Sequence, residues 1–380
     1  LSRNGCMNWT SELGDLFDGN WVGTVVAVQA NFYQVKIERN YKSVRNPREN
    51  LPQYLLCTRR SRLKKIGQKV MVGDRVIIED PDLVGGRGAV AEVLPRETEL
   101  DRPPIANANQ VMLVFALAEP DLDPVALTRF LLKAESTGLE ICLCLSKCDL
   151  VSTTKMEEWH SQISGWGYEP FFVSVKTEVG LGVVKNGSLW EKLRNKITVI
   201  SGPSGVGKSS LINYLIPDLN LRVSAVSGKL SRGRHTTRHV ELFELPNGGL
   251  LADTPGFNQP QLDCEPIELA YLFPEARKYL AEGSCQFSDC LHRDEPNCVV
   301  RGEWDRYEYY LMFLEEAIAR QEALQQKPDA ESNLKAKISS GGKQKLEPKL
   351  ASKKYRRSSR KVEHQQLQDL CEELVDFEQL

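Results

Sequence analysis

The sequence predicts a mostly parallel α/β domain with helices on both faces of its sheet. An all-β barrel precedes it and a helical, metal-binding domain follows. Three observations carry this: five short β-rich runs within the first hundred residues; apolar strand-like runs that then alternate with helical stretches around a glycine-rich loop; and three cysteines with one histidine inside fourteen residues near the C-terminal end.

The chain has 380 residues, with 49 Lys+Arg against 51 Asp+Glu and a net charge of −2. That length allows two or three domains with cores of their own. Apolar residues at 41% and charged residues at 26% exclude a fibrous or wholly disordered chain. The richest apolar run, Val111–Ala118, is less than half of the roughly 18 residues a membrane span needs, so no membrane partner is expected. The near-zero charge excludes a protein gripping nucleic acid with its whole surface, while allowing local basic patches. The ten cysteines sit in a long chain with no apolar leader segment, and reduced thiols are expected.

Residues 1–20 read as a flexible N-terminus and residues 21–100 as an OB-like barrel. Val22–Val28 and Phe32–Ile37 flank a hairpin signal at Gln29-Ala30-Asn31, and Leu55–Leu63, Val70–Ile78 and Gly88–Val93 complete five strands. Basic residues cluster at Arg39–Arg48 and again from Arg59 to Lys65. Either a solvated loop or an RNA-binding face accounts for them.

Residues 101–262 alternate strand and helix: Val111–Leu117, a helix over Pro124–Thr137, Leu139–Leu145, Phe171–Val173, Ile197–Ile200 and Gly249–Ala252. Residues 263–325 read as the helical metal-binding domain. Residues 326–380 read as a disordered tail, since Lys335–Lys361 carries eleven Lys/Arg and one acid, whereas Glu363–Leu380 carries six acids and no Lys/Arg. A short amphipathic helix is expected at Leu367–Leu374.

Gly202-Pro203-Ser204-Gly205-Val206-Gly207-Lys208-Ser209 fits G-x-x-x-x-G-K-S between a strand and a helix beginning near Ser210, the context this motif requires. Its glycines let successive N–H groups turn onto phosphate oxygens, and the helix N-terminus adds positive potential. Lys208 then neutralises the β and γ phosphates, while Ser209 offers its hydroxyl to Mg²⁺. Asp253-Thr254-Pro255-Gly256 follows a strand, so Asp253 suits Mg²⁺ and the Gly256 N–H a γ-phosphate.

Ser146-Lys147-Cys148-Asp149 ends another strand and looks like the guanine-reading motif Asn-Lys-x-Asp of GTPases. Asp149 would accept from the two N–H donors on the guanine edge, and Lys147 would lie across the ring. Alone, this tetrapeptide is as readily a surface turn; beside a phosphate loop it carries weight. Ser146 replaces the usual Asn, so one hydrogen bond to base or phosphate loop should shorten or pass through water. Ser174-Val175-Lys176 resembles the loop covering the base oxygen. The order of these segments is a circular permutation of the usual GTPase order.

Cys285-x₄-Cys290-x-His292-x₅-Cys298 suits one tetrahedral, structural Zn²⁺. Asp289 and Asp294 are poorer ligands beside four softer ones.

These residues, with Gly233-Arg234-His235-Thr236-Thr237 and Asp253–Phe257, resemble the RsgA (YjeQ) family of circularly permuted GTPases over about residues 21–320. The resemblance implies GTP hydrolysis stimulated by the small ribosomal subunit during its late assembly, ribosomal RNA on the barrel, and a zinc domain beside the GTPase. A monomer is expected. Phe257 stands where Ras-like enzymes place a water-orienting Gln, so the resemblance points to His235 as the catalytic group. It points to Thr237, or else Thr236, as the Mg²⁺-binding switch residue. Two rivals remain open at this level: a phosphate-loop ATPase or kinase, and an RNA-binding protein that GTP switches without hydrolysis. Leu1 as first residue and the long C-terminal extension suggest an organelle, chloroplast or mitochondrion, with the bacterial cytoplasm as the alternative.

Overall fold

In β1 (Trp21–Gln29) the six consecutive residues 22–27 are buried, unlike the alternation of a one-faced strand. Both of its faces are covered: Val25 points into the barrel core, while Val26 packs in the core of the α/β domain. β2 (Phe32–Ile37) does alternate, sending Tyr33, Val35 and Ile37 inward. The two strands join through Ala30-Asn31, with Gln29 paired to Phe32. β3 (Tyr54–Arg59) buries Leu55 and Cys57. β4 (Arg75–Asp82) and β5 (Arg87–Val93) close a barrel of order β1-β2-β3-β5-β4. Two sequence-predicted strands come out shorter. The run Leu55–Leu63 stops at Arg59, and α1 (Ser61–Lys65) inserts Leu63 into the barrel core. The run Val70–Ile78 is interrupted by Gly73, whose φ of +88° places its backbone against the Ala106 carbonyl.

This computed structural model describes residues 21–38, 52–101, 103–182, 188–219, 240–253, 261–302, 304–325, 334–338 and 344–348. They fall into two compact units, 1–318 and 319–380. In the first, a hairpin of β6 (Glu99–Asp101) and β7 (Pro104–Ala106) leads into the α/β domain. There follow β8 (Gln110–Ala116), α2 (Pro124–Glu135), β9 (Glu140–Ser146), α3 (Thr153–Gly165), β10 (Pro170–Phe172), α4 (Leu189–Leu193), β11 (Ile197–Ser201), α5 (Lys208–Leu215), β12 (Leu242–Glu244) and β13 (Leu250–Asp253).

The sheet order is β10-β9-β8-β11-β13-β12, parallel throughout except for the antiparallel edge strand β12. All seven residues of β8 are buried because the sheet is covered twice. Val111, Leu113 and Phe115 meet Leu127 and Phe130 of α2 and Ile163 of α3 on one face. Met112, Val114 and Ala116 meet Trp190 of α4 and Leu211 and Leu215 of α5 on the other. Helices therefore lie on both faces.

A 3-10 segment (Pro266–Leu272), α6 (Pro274–Glu282) and α7 (Tyr307–Gln325) enclose a further core built on Phe273, Tyr310, Phe313 and Trp304. In the second unit, β14 (Leu334–Ile338) and β15 (Gln344–Pro348) pair as an antiparallel ribbon inside the segment expected to be disordered. The expected helix at Leu367–Leu374 lies outside the described residues. No helix among the described residues is long and apolar enough to cross a membrane.

Candidate functional site

The loops that follow β8, β9, β10 and β11, and the end of β13, all leave the sheet at one edge. Register fixes this: Ala116 pairs with Ser146, Leu145 with Phe172, Leu113 with Ser201, and Ile200 with Asp253. Parallel strands send every following loop to their carboxyl ends, where open α/β sheets bind ligands. Segments 117–121, 146–149, 173–176 and 202–209 are thereby gathered, although 80 residues of chain separate the first from the last.

The phosphate loop is shaped by close approach. At Gly202 (φ +147°) a β-carbon would lie 2.1 Å from the Val114 carbonyl oxygen, so only glycine fits against β8. Gly205 and Gly207 also hold positive φ, and Gly207 caps α5 in the left-handed conformation. Leu211, Ile212 and Leu215 bury the far side of α5 and fix its N-terminus over the sheet. Lys208 Nζ donates to the carbonyls of Gly202 (2.7 Å) and Pro203 (2.5 Å), which keeps the ammonium above the loop backbone. Val206 is buried and Pro203, Ser209 and Ser210 are half-buried, while Ser204 and Gly205 are exposed at the mouth.

Ser146 Oγ donates to the carbonyls of Val206 (2.5 Å) and Phe115 (3.2 Å). The serine thus bonds the phosphate loop directly, and the expected contact needs no bridging water. Lys147, in the left-handed conformation, reaches back to the Glu119 carbonyl. Cys148 is buried, and its N–H donates to the Val173 carbonyl at 3.3 Å. Asp149 is exposed, with Oδ1 accepting from the buried Ser174 hydroxyl at 2.6 Å. The Ser174 N–H in turn donates to the Val179 carbonyl, and its hydroxyl accepts from the Thr177 N–H. Val175 is half-buried beside this core, and Lys176 is exposed. The four loops are one hydrogen-bonded surface presenting a carboxylate at one end and an ammonium at the other. A feature absent from the sequence reading is the Glu119-Pro120 turn, where Pro120 lies beside Gly205. The proline after the β8 run was its only signal.

Asp253 is the last residue of β13. His235, Thr236, Thr237 and Gly256 lie outside the described residues, as does Phe257.

The sulfurs of Cys285, Cys290 and Cys298 and the Nδ1 of His292 all lie within 4.8 Å of one another. Tetrahedral zinc with bonds of about 2.3 Å to sulfur and 2.0–2.1 Å to nitrogen places sulfurs about 3.8 Å apart and sulfur about 3.6 Å from nitrogen. The Cys285–Cys298 separation is 3.8 Å, and His292 Nδ1 lies 3.3–3.5 Å from the three sulfurs. The donor set fits a closed structural zinc site. Burial pushes the Cys290 thiol up to about 12, so its thiolate needs a cation beside it, and lowers the His292 pKa, which keeps the imidazole in the neutral form that ligates a metal. The loop is built to stay shut. Glu295 accepts from the N–H groups of Leu291, Arg293 and Asp294, and Tyr307 and Tyr310 donate to the carbonyls of His292 and Leu291.

Comparison with known proteins agrees with this geometry. The chain is 60% identical over 370 residues to the small ribosomal subunit biogenesis GTPase RsgA of Trichormus variabilis, covering 93% of this chain and 98% of that one. The chain belongs to the RsgA GTPase family. The family's sequence profile matches residues 93–263. The RsgA of Synechocystis sp. is 53% identical, over 92% of this chain and 95% of its own. Among solved structures, YloQ, described as a circularly permuted GTPase, aligns with a TM-score of 0.63 at 30% identity over 79% of this chain and 96% of its own. YjeQ from Thermotoga maritima aligns with the same TM-score at 32% identity, over 79% and 99%. The barrel, the permuted sheet and the Cys₃His cluster thus belong to a chain of the RsgA family.

Proposed function

We propose that this chain hydrolyses GTP to GDP and phosphate while bound to the small ribosomal subunit, and that it assists late maturation of that subunit. The observation that carries this is the gathering of Ser146–Asp149, Ser174–Lys176 and Gly202–Ser209 at one sheet edge in a chain of the RsgA family. The N–H groups of the 202–210 turn hold the phosphates, Lys208 offsets their charge, and Asp149 selects guanine because adenine leaves its carboxylate unpaired. Mg²⁺, when bound with GTP, neutralises developing charge; Ser209, Thr237 and Asp253 are the residues to hold it. His235 orients the attacking water in place of the glutamine whose position Phe257 takes.

Zinc locks the Cys285–Cys298 loop and has no part in hydrolysis. The barrel carries the ribosomal RNA contact through its basic segments. The domain limits follow: barrel 21–100, GTPase 101–262, zinc domain 263–325. The protein acts as a monomer. Its place of action is an organelle, chloroplast or mitochondrion, or else a bacterial cytoplasm; relatives from cyanobacteria are consistent with the last. Import of the full-length protein into isolated chloroplasts distinguishes these.

The test is phosphate release from GTP with and without purified small subunits. Stimulation by subunits that His235→Ala abolishes is the expected result. Hydrolysis that subunits leave unchanged overturns the ribosomal reading, and equal use of ATP overturns guanine selection.

A further inference from the structure

Between the buried side chains of Leu117 and Leu122, the chain after β8 makes an exposed turn at Glu119, Pro120 and Asp121. The turn is pinned at both ends. Leu117 and Leu122 sit in the core of the α/β domain, the Leu117 N–H donates to the Ser146 carbonyl at 3.0 Å, and Asp123 caps α2 by accepting from the Val125 N–H at 2.9 Å. Its middle meets both halves of the nucleotide site. The Glu119 carbonyl accepts from Lys147 Nζ, and Pro120 Cδ lies 3.8 Å from where a β-carbon on Gly205 would stand.

Glu119 and Lys147 both hold the left-handed conformation, at φ +53° and +55°. Such backbone is uncommon for residues that carry a β-carbon and persists where the surroundings impose it. At Glu119 it sets the direction of the carbonyl. At Lys147 it opens the 3-10 turn (Cys148–Leu150) that carries Asp149. An ammonium on a flexible four-carbon stem has many rotamers to choose from, and an acceptor at its tip removes most of them. With Nζ on the Glu119 carbonyl the Lys147 stem is fixed at its far end, while Ser174 holds Asp149 from the other side. The Glu119 side chain itself is exposed, and the contact uses only its backbone.

We infer that the Glu119-Pro120 turn is a positioning element for guanine recognition. Its Glu119 carbonyl fixes Lys147 across the base, and Pro120 braces the phosphate loop at Gly205, so base and phosphates meet one preset frame. The inference rests on the guanine-nucleotide reading above and deepens it by naming what sets the base-reading loop. Residues 117–121 belong to none of the motifs on which that reading stands.

The experiment separates backbone from side chain. Glu119→Gly, Glu119→Asn and Glu119→Val all remove the carboxylate; glycine and asparagine enter the left-handed region readily, whereas a β-branched valine does not. Affinities for GTP, GDP and inosine triphosphate, whose base lacks the 2-amino donor, are titrated beside the melting temperature. The glycine and asparagine variants are expected to keep GTP affinity within about twofold of wild type, well short of the loss of one hydrogen bond to a charged group. The valine variant should lose at least about tenfold in affinity for GTP and GDP, the scale of such a bond, and less for inosine triphosphate, so the preference for guanine narrows. Lys147→Met, which keeps most of the stem and removes the ammonium, should reproduce that loss, and Glu119→Val should add nothing to it. If the valine variant does not fold, Pro120→Gly loosens the same turn, and its cost must shrink in the Lys147→Met background. An equal loss in all three Glu119 variants would assign the effect to the carboxylate and overturn the inference. Equal losses for GTP and inosine triphosphate, or a valine variant that binds GTP as wild type does, would overturn it too and leave the proposed function standing. Wild type that binds ATP as tightly as GTP overturns both.

Discussion

For the proposed reading of guanine, Asp149 must hold its carboxylate in one orientation, and the Ser174 hydroxyl donates to it at 2.6 Å. Replacing Ser174 by Ala removes one charge-assisted hydrogen bond, typically about 1.5–3 kcal/mol. GTP affinity is expected to fall about tenfold, with less loss for ATP, so guanine preference narrows; a titration with fluorescent nucleotides reads both. Ser146 acts on the other loop. Ser146→Ala strands the Val206 carbonyl beneath the phosphate loop, and about 1–3 kcal/mol should appear as weaker binding of GTP and GDP alike. Wild-type affinity in that variant would show that the loop keeps its shape without the serine. The phosphate loop was legible in sequence because glycine spacing, lysine and hydroxyl are all local. That Ser146 bonds Val206, sixty residues on, was not legible, because nothing local says which carbonyl a strand-end hydroxyl will meet.

Elements read best where one face is buried. β2 alternates and was legible residue by residue, whereas α1 was hidden in an apolar run because Leu63 is buried on either reading. The zinc loop is the reverse case, since its spacing is diagnostic though it has almost no regular structure. Chelation should open it: removing the metal, or Cys290→Ser, is expected to lower the melting temperature and expose Cys285 and Cys298 to a thiol reagent. Unchanged thiol reactivity after chelation would remove zinc from the fold.

Elements also dock through charge. Arg129 of α2 holds Glu316 of α7 through two bonds of 2.7 Å, and this hydrogen bonding lowers the Glu316 pKa below its ordinary 4.5. A lowered carboxylate binds its proton more weakly folded than unfolded, so its stabilisation is present above the unfolded pKa and is lost as pH falls through the folded one. The difference in urea midpoint between wild type and Glu316→Gln should therefore exist at pH 7 and vanish in acid, below the ordinary carboxylate range. Because Glu316 is partly exposed, the difference should be small and reduced by salt.

Across the molecule, permutation leaves the pocket intact because strand order in space, not along the chain, decides which loops meet. The motif order in the sequence was enough to recognise this. What sequence could not show is how the zinc domain is fixed to the GTPase sheet. Arg306 is fully buried with its guanidinium paired to Glu275 at 2.7 and 2.5 Å, and it lies over the rings of Trp166 (4.8 Å), Phe273 (5.0 Å) and Tyr168 (5.6 Å). Its Nη1 has no hydrogen-bond partner among the described residues; the aromatic faces, negative at their centres, offset the lost hydration. Trp166 and Tyr168 follow α3 of the GTPase domain, Glu275 belongs to α6, and Arg306 precedes α7, so one cation joins three elements. Breaking such a pair from one side leaves a bare buried charge at about 3–5 kcal/mol, whereas replacing both partners by apolar side chains is often neutral. Glu275→Leu should therefore lower the denaturant midpoint sharply, and Glu275→Leu/Arg306→Met should regain most of the loss. If the double variant is as unstable as the single one, the rings over the guanidinium hold the domains together more than the ion pair does.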